Sequence, residues 1–270
     1  MLRKSSSAVA LLALVFLVAC GGSAPPPPAE TTKTEAAPAA AAAPAEAAGG
    51  GEAGAYEVTT VADGGTISGK VTVTGNVPKP EKIEVNKDTA VCGNEKTMED
   101  IRVGAGGSLA DAVVWIDGIS KGKAWGGNDK VTIDQKDCHY IPQLQAVQAG
   151  GSVEVVNSDP VLHNIHAYHG EETLFNIAQP MKGQKTPKKV SETGPVHMKC
   201  DVHSWMSAWV FVAAHPYFAI TKEDGSFSLG DVPPGSYTLK VWHGRFGEKS
   251  MPIKVDAKGK ATADFALQAS

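Results

Sequence analysis

From Gly65 onward the chain is written in short apolar runs that alternate with period two and stop at Gly or Pro. No long stretch keeps the 3.6-residue period of an amphipathic helix. Thr66-Ile67-Ser68-Gly69-Lys70-Val71-Thr72-Val73-Thr74 alternates until Gly75-Asn76 and Pro78 break it. Residues 101–103, 112–116 and 130–133 are further short strand candidates, and 144–147 and 152–156 flank an Ala149-Gly150-Gly151 turn. Residues 207–214 are almost continuously apolar, the pattern of a strand buried on both faces. Residues 237–242 and 263–267 alternate again, and 171–179 leaves room for one short helical turn. Strands at short intervals with Gly and Pro turns predict an all-β sandwich architecture.

The first 63 residues cannot join such a core. Arg3 and Lys4 precede an apolar stretch, Ala8 to Val18, too short for an ordinary membrane span. It ends in Leu17-Val18-Ala19-Cys20-Gly21, which resembles the bacterial lipobox. The resemblance implies that residues 1–20 hold a lipoprotein signal, with cleavage before Cys20 and a lipid on its sulfur. The implied location is the bacterial envelope, anchored by lipid to the outer membrane and facing the periplasm or the surface. Residues 21–63 carry four consecutive prolines, an Ala/Pro run and Gly49-Gly50-Gly51, a composition that reads as a disordered tether. A net charge of −4 lacks the clustered positive excess of a nucleic-acid footprint.

Four cysteines stand at 20, 92, 138 and 200. If Cys20 carries lipid, three remain, and an oxidising envelope allows one bridge and one thiol. The economical assignment is a Cys92–Cys138 disulfide with Cys200 on a metal. Cys200 bridged to either of the others is the alternative, and it would remove the metal site. Cys200 has ligand-type neighbours: Cys200-Asp201-Val202-His203-Ser204-Trp205-Met206, with His163 upstream. A thiolate, two imidazoles and a thioether are the donors of a mononuclear electron-transfer copper site. Zinc suits this set less well, because structural zinc prefers several thiolates.

Residues 130–214 resemble a cupredoxin, the blue-copper β-sandwich family with Greek-key topology. The resemblance rests on Ala149 to Asn157, on Asp159-Pro160-Val161-Leu162-His163-Asn164-Ile165-His166, and on the Cys-x2-His-x2-Met loop followed by 207–213. It implies one type 1 copper ion with His163, Cys200 and His203 as equatorial ligands and Met206 as axial ligand. It also implies that Asn164 joins the two ligand loops by hydrogen bonds. Asp201-Val202 departs from the family pattern, in which a proline often precedes the second His. His166 and His169 are alternates for His163, and Met181 is a distant competitor of Met206. By strand alternation His197 points away from Cys200. His215 and His243 read as structural and His139 as an exposed loop residue. Trp205 is either core or an exposed docking aromatic.

Residues 215–270 resemble a carboxypeptidase regulatory-like, or transthyretin-like, β-sandwich, on Thr221 to Leu229 and Val232-Pro233-Pro234-Gly235-Ser236-Tyr237-Thr238-Leu239. This implies a second, smaller, non-catalytic sandwich. Residues 64–129 either complete that sandwich or extend the copper domain.

The expected function is a membrane-anchored carrier of single electrons, with a redox protein as donor, another as acceptor and the imidazole edge of His203 as electron port. No bond is made or broken in that role, so the chain is not expected to be an enzyme. The alternatives are copper storage, delivery or sensing at a more open site, and a surface interaction module with a degenerate copper loop.

Overall fold

The computed structural model describes residues 56–98 and 100–269. The expected signal, Cys20 and residues 21–55 of the expected tether lie outside them. Residues 56–63, also expected to be tether, are structured: Glu57–Val58 pairs with Lys121–Gly122, and Tyr56 packs on the second core and donates its hydroxyl to the Lys123 carbonyl (2.7 Å). The described chain is all-β, with one four-residue helix, Thr89–Cys92, and one 3-10 turn, Ala105–Gly107. No helix among the described residues is long and apolar enough to cross a membrane. Residues 172–179, where a helical turn was expected, form a strand paired with His163–His169.

Two sheets enclose the first core. One orders Lys185–Lys189, Ser152–Asn157, Lys130–Lys136 and His139–Ile141. The other orders Glu172–Gln179, His163–His169, Gly194–Lys199, Ser207–Ala213 and Leu144–Gln148. Alternation decides what goes inside. Val153 and Val155 from one sheet meet Ile165, Ala167, Val196, Met198 and Val210 from the other. Each fully buried Val or Ile contributes about 1.5–3 kcal/mol. Parallel pairing of Ser152–Asn157 with Lys130–Lys136, and of Ser207–Ala213 with Leu144–Gln148, needs crossovers and excludes a simple meander.

A second core lies between two further sheets. Gly65–Gly75 pairs with Ser226–Val232, Lys260–Thr262 and Phe265–Ala269, while Val113–Asp117 pairs with Phe218–Ile220 and Gly235–His243. Ile67, Val71, Val114, Ile116, Leu229, Leu239 and Phe265 pack inside. Strands on both sides of the 130–213 stretch therefore share one sandwich. The stretch between Gly65–Gly75 and Val113–Asp117 takes a different place. Lys82–Glu84 and Glu95–Thr97 form a hairpin around Thr89–Cys92, and its Val85 and Cys92 pack into the first core.

The apolar run at 207–213 has a plain cause. Ala208, Val210 and Val212 face the first core, whereas Phe211 and Ala213 face a third cluster with Val113, Leu144 and Ala146. Trp115 packs on Phe211 at 5.1 Å and Trp209 on Trp242 at 4.8 Å, joining the two sandwiches.

Candidate metal centre

The register of two strands brings the two candidate ligand loops together. His166 stands opposite Lys199 in the antiparallel pair, so residues just before His166 lie beside those just after Lys199. His163 opens its strand and Cys200 directly follows Gly194–Lys199. The 200–206 loop closes on itself: the Cys200 N–H donates to the Met206 carbonyl (3.3 Å) and the Met206 N–H to the His203 carbonyl (2.9 Å). His163 Nδ1 and His203 Nδ1 lie 3.0 Å apart, and Cys200 Sγ lies 3.9 Å from His203 Nδ1. One donor atom from each of these three residues lies within 4.8 Å of the others. All three residues are buried, as is Met206.

Each ring is held from behind by a carboxylate. His163 Nε2 is 2.9 Å from Asp159 Oδ2, and His203 Nε2 is 2.9 Å from Asp88 Oδ2. A carboxylate accepts, so each Nε2 donates to its carboxylate and each ring turns its Nδ1 inward. Burial holds the His203 ring below the usual histidine range. Asp88 acts the other way, and the His163 ring adds to the lowering. At 3.0 Å the two Nδ1 atoms are close enough to share a proton or a metal cation. With a thiol beside them, this donor set fits a copper ion.

Asp159 is itself fixed by a turn. Asp137 and Cys138, both at positive φ, form a two-residue turn between Lys130–Lys136 and His139–Ile141. Both their N–H groups donate to the Asp159 carboxylate at 2.8 Å. Burial acts to raise this carboxyl, but the Cys138 amide, the His163 ring and the Asp137 amide together bring it below the usual range.

Asn164 links the loops. Its Oδ1 accepts the Asp201 N–H (2.7 Å) and the Cys200 S–H (3.3 Å), while its Nδ2 donates to Asp201 and Asn176 (both 2.8 Å). Tyr140 donates its hydroxyl to the Asn164 carbonyl (2.6 Å). Burial, with Cys200 and Asp201 nearby, pushes that phenol well above its ordinary range.

His166 and His169 stand apart from this cluster. His166 engages Asp201 (3.1 Å), Tyr168 (2.7 Å) and Thr173 (3.0 Å), and His169 contacts the Thr193 carbonyl (3.2 Å). Met181 is exposed. His197 stacks on Trp209 at 4.0 Å. His139 lies half-buried in a strand, where an exposed loop residue was expected. Trp205 is core: it is buried and donates its indole N–H to the Cys138 carbonyl (3.1 Å). The expected bare edge of His203 is also absent. The ring is fully buried, and Asp88, whose side chain is 32% exposed, stands between it and solvent.

Cys92 and Cys138 form a disulfide, and Cys200 is a free, buried thiol. Sulfurs of that disulfide and a His203 nitrogen fall within 4.8 Å of one another. Asp88 and Asp159 were not singled out in the sequence. Asp159 stands four residues before His163, which is the one local signal available; Asp88 offers none.

The chain is similar to several known proteins over parts of its length. A family model described as polysaccharide lyase family 4, domain II, matches residues 183–263. Endoplasmic reticulum membrane protein complex subunit 7 of Danio rerio is 37% identical over 60 residues, 22% of this chain. The chain spans a quarter of that relative's length (25%). Among solved structures, the copper-containing nitrite reductase of Thermus scotoductus SA-01 is 20% identical, covering 31% of this chain and 22% of its own, with a TM-score of 0.29. A purple cupredoxin of Nitrosopumilus maritimus is 23% identical, covering 31% of this chain and 99% of its own (TM-score 0.28). Amicyanin of Paracoccus versutus is 23% identical, covering 32% and 84% respectively (TM-score 0.29).

Proposed function

We propose that this chain binds one type 1 copper ion and carries single electrons between redox proteins of a bacterial envelope. His163, Cys200 and His203 would hold the ion, with Met206 as the weak axial donor. The observation that carries this reading is the buried convergence of two Nδ1 atoms, 3.0 Å apart, beside the Cys200 sulfur. When bound, copper supplies a one-electron couple between cupric and cuprous states, both of which suit a mixed thiolate–imidazole set.

The protein's own part is positional. Asp159 and Asp88 keep both rings turned inward. Asn164 ties the Cys200 loop to the His163 strand. Burial excludes water, so little has to rearrange when an electron arrives or leaves. With His203 covered, electrons would cross the surface around Asp88 rather than a bare imidazole edge. The storage or delivery alternative calls on His166 and His169, and both are engaged elsewhere.

The Cys92–Cys138 disulfide supports an oxidising compartment. Lipid on Cys20 would anchor the protein to the outer membrane. Electron paramagnetic resonance and visible absorption of the copper-loaded protein test the reading. The expected result is an intense thiolate-to-copper band with narrow hyperfine splitting, both lost in Cys200→Ala. A colourless oxidised protein would end it.

A further inference from the structure

The hairpin that carries Asp88 breaks a local rule to reach His203. Asp88 stands at the N-cap of Thr89–Cys92, where an Asp carboxylate ordinarily accepts from the first helical amides. Here it makes no such bond. Its backbone sits at φ 53°, ψ 34°, in the left-handed region that residues with a Cβ seldom adopt. The forgone cap is a further local loss. In return the carboxylate meets His203 Nε2 at 2.9 Å, across 115 residues of chain. Local conflicts of this kind gather where function demands them.

The same four-residue helix ends in Cys92, which is bonded to Cys138. The Cys138 N–H donates to Asp159, and Asp159 holds His163. The Cys138 carbonyl accepts from Trp205 in the ligand loop. One covalent bond therefore connects the two carboxylates that orient the two imidazoles. The path runs His203, Asp88, Cys92, Cys138, Asp159, His163, and it closes behind the point where both Nδ1 atoms meet.

We propose that Asp88 is a positioning residue of the metal centre, supplied from outside its sandwich, and that the Cys92–Cys138 disulfide is the strut that sets Asp88 against Asp159. The metal would then be retained through a bond between two residues that are not ligands. This rests on the copper reading for its consequence, though not for its geometry. Asp88→Asn keeps an oxygen that accepts the ring proton but removes a negative charge. Asp88→Ala removes both. The pair therefore separates orientation from charge.

The first measurement uses metal-free protein and nitrogen-15 NMR of the ring N–H groups. The wild type should show slowly exchanging Nε2 protons on both His163 and His203. Asp88→Ala should lose the His203 signal alone, and Cys92→Ser with Cys138→Ser should lose it and weaken that of His163. The second measurement uses copper-loaded protein. Release to a chelator should accelerate about tenfold in Asp88→Ala and in the double serine variant. In Asp88→Asn release should stay near wild type while the reduction potential rises, because a charge favouring the cupric ion is gone. Unchanged ring protons in Asp88→Ala, or an unchanged potential in Asp88→Asn, would overturn the positioning role. Unchanged ring protons and release in the double serine variant would overturn the strut. If that variant does not fold, wild type with its disulfide reduced by a phosphine, followed by the same ring signals, decides the question. A wild type that binds no copper would remove the proposed function, and the metal-free signals would still decide whether Asp88 and the disulfide hold the rings.

Discussion

His163 and His203 present their Nδ1 atoms to each other at 3.0 Å, with ring planes 62° apart, and each ring is hydrogen-bonded from behind to a carboxylate. Removing either ring takes away half of that pair. His163→Ala should weaken copper binding by more than the roughly 10–100-fold lost when an outer hydrogen-bond partner of a ligand is removed. His166→Ala should leave affinity near wild type, since that ring is bound to Asp201, Tyr168 and Thr173. Competition titration against a chelator of known affinity measures both. Equal losses in the two variants would move the site toward His166.

The Cys92–Cys138 disulfide closes a loop with a sequence separation of 46 residues. Confining that loop in the unfolded chain should stabilise the fold by about 4 kcal/mol on the chain-entropy account. Cys92→Ser with Cys138→Ser should therefore lower the urea midpoint of the metal-free protein strongly. The loss should concentrate in the first sandwich, whose core includes both sulfurs. Hydrogen exchange resolved by residue would show whether Lys82–Glu84 and Glu95–Thr97 open first.

Much of this was legible in the chain because local chemistry and global structure agree. The alternation at 66–74 marks one buried face, with Ile67, Val71 and Val73 inside. The spacing of Cys200, His203 and Met206 is a loop property, and the structure closes that loop with two backbone hydrogen bonds. What escaped was long-range. Nothing near Asp88 announces a partner 115 residues away. Trp205 could have faced either way until its indole found the Cys138 carbonyl. Residues 171–179 mix polar and apolar positions without clear alternation, and their strand is defined by pairing with His163–His169.

Phe211 tests the coupling of the two sandwiches. It is buried on the face of Ser207–Ala213 turned away from the first core, 5.1 Å from Trp115 and 6.4 Å from Phe218. Phe211→Ala should cost about 3–5 kcal/mol. The 200–206 loop sits at the other end of the same strand, so the Cys200 to Met206 backbone bonds should persist. Thermal unfolding should fall while copper absorption is retained. Loss of colour at full folding would mean that the interface also sets the site.

Acid should weaken the fold in a window set by buried histidines. Burial, reinforced by Arg245, lowers His243 to about 4, and burial, reinforced by Lys199, lowers His197 to about 4. Both rings are neutral in the fold at pH 7 and are protonated more readily once unfolded. Between about pH 6.5 and 4 the unfolded chain therefore binds more protons, and stability drops as pH falls. For His243, stacked on Phe246 at 4.9 Å, the contribution is up to about 3 kcal/mol, present above the unfolded value and lost by pH 4. The lowered carboxyls of Asp159 and Asp201 act in a separate window, below the ordinary carboxylate range. Urea midpoints of the metal-free protein from pH 7.5 to 4 should slope accordingly, and His243→Gln should flatten the upper part of the slope. A slope that survives that substitution unchanged would assign the acid response to other groups.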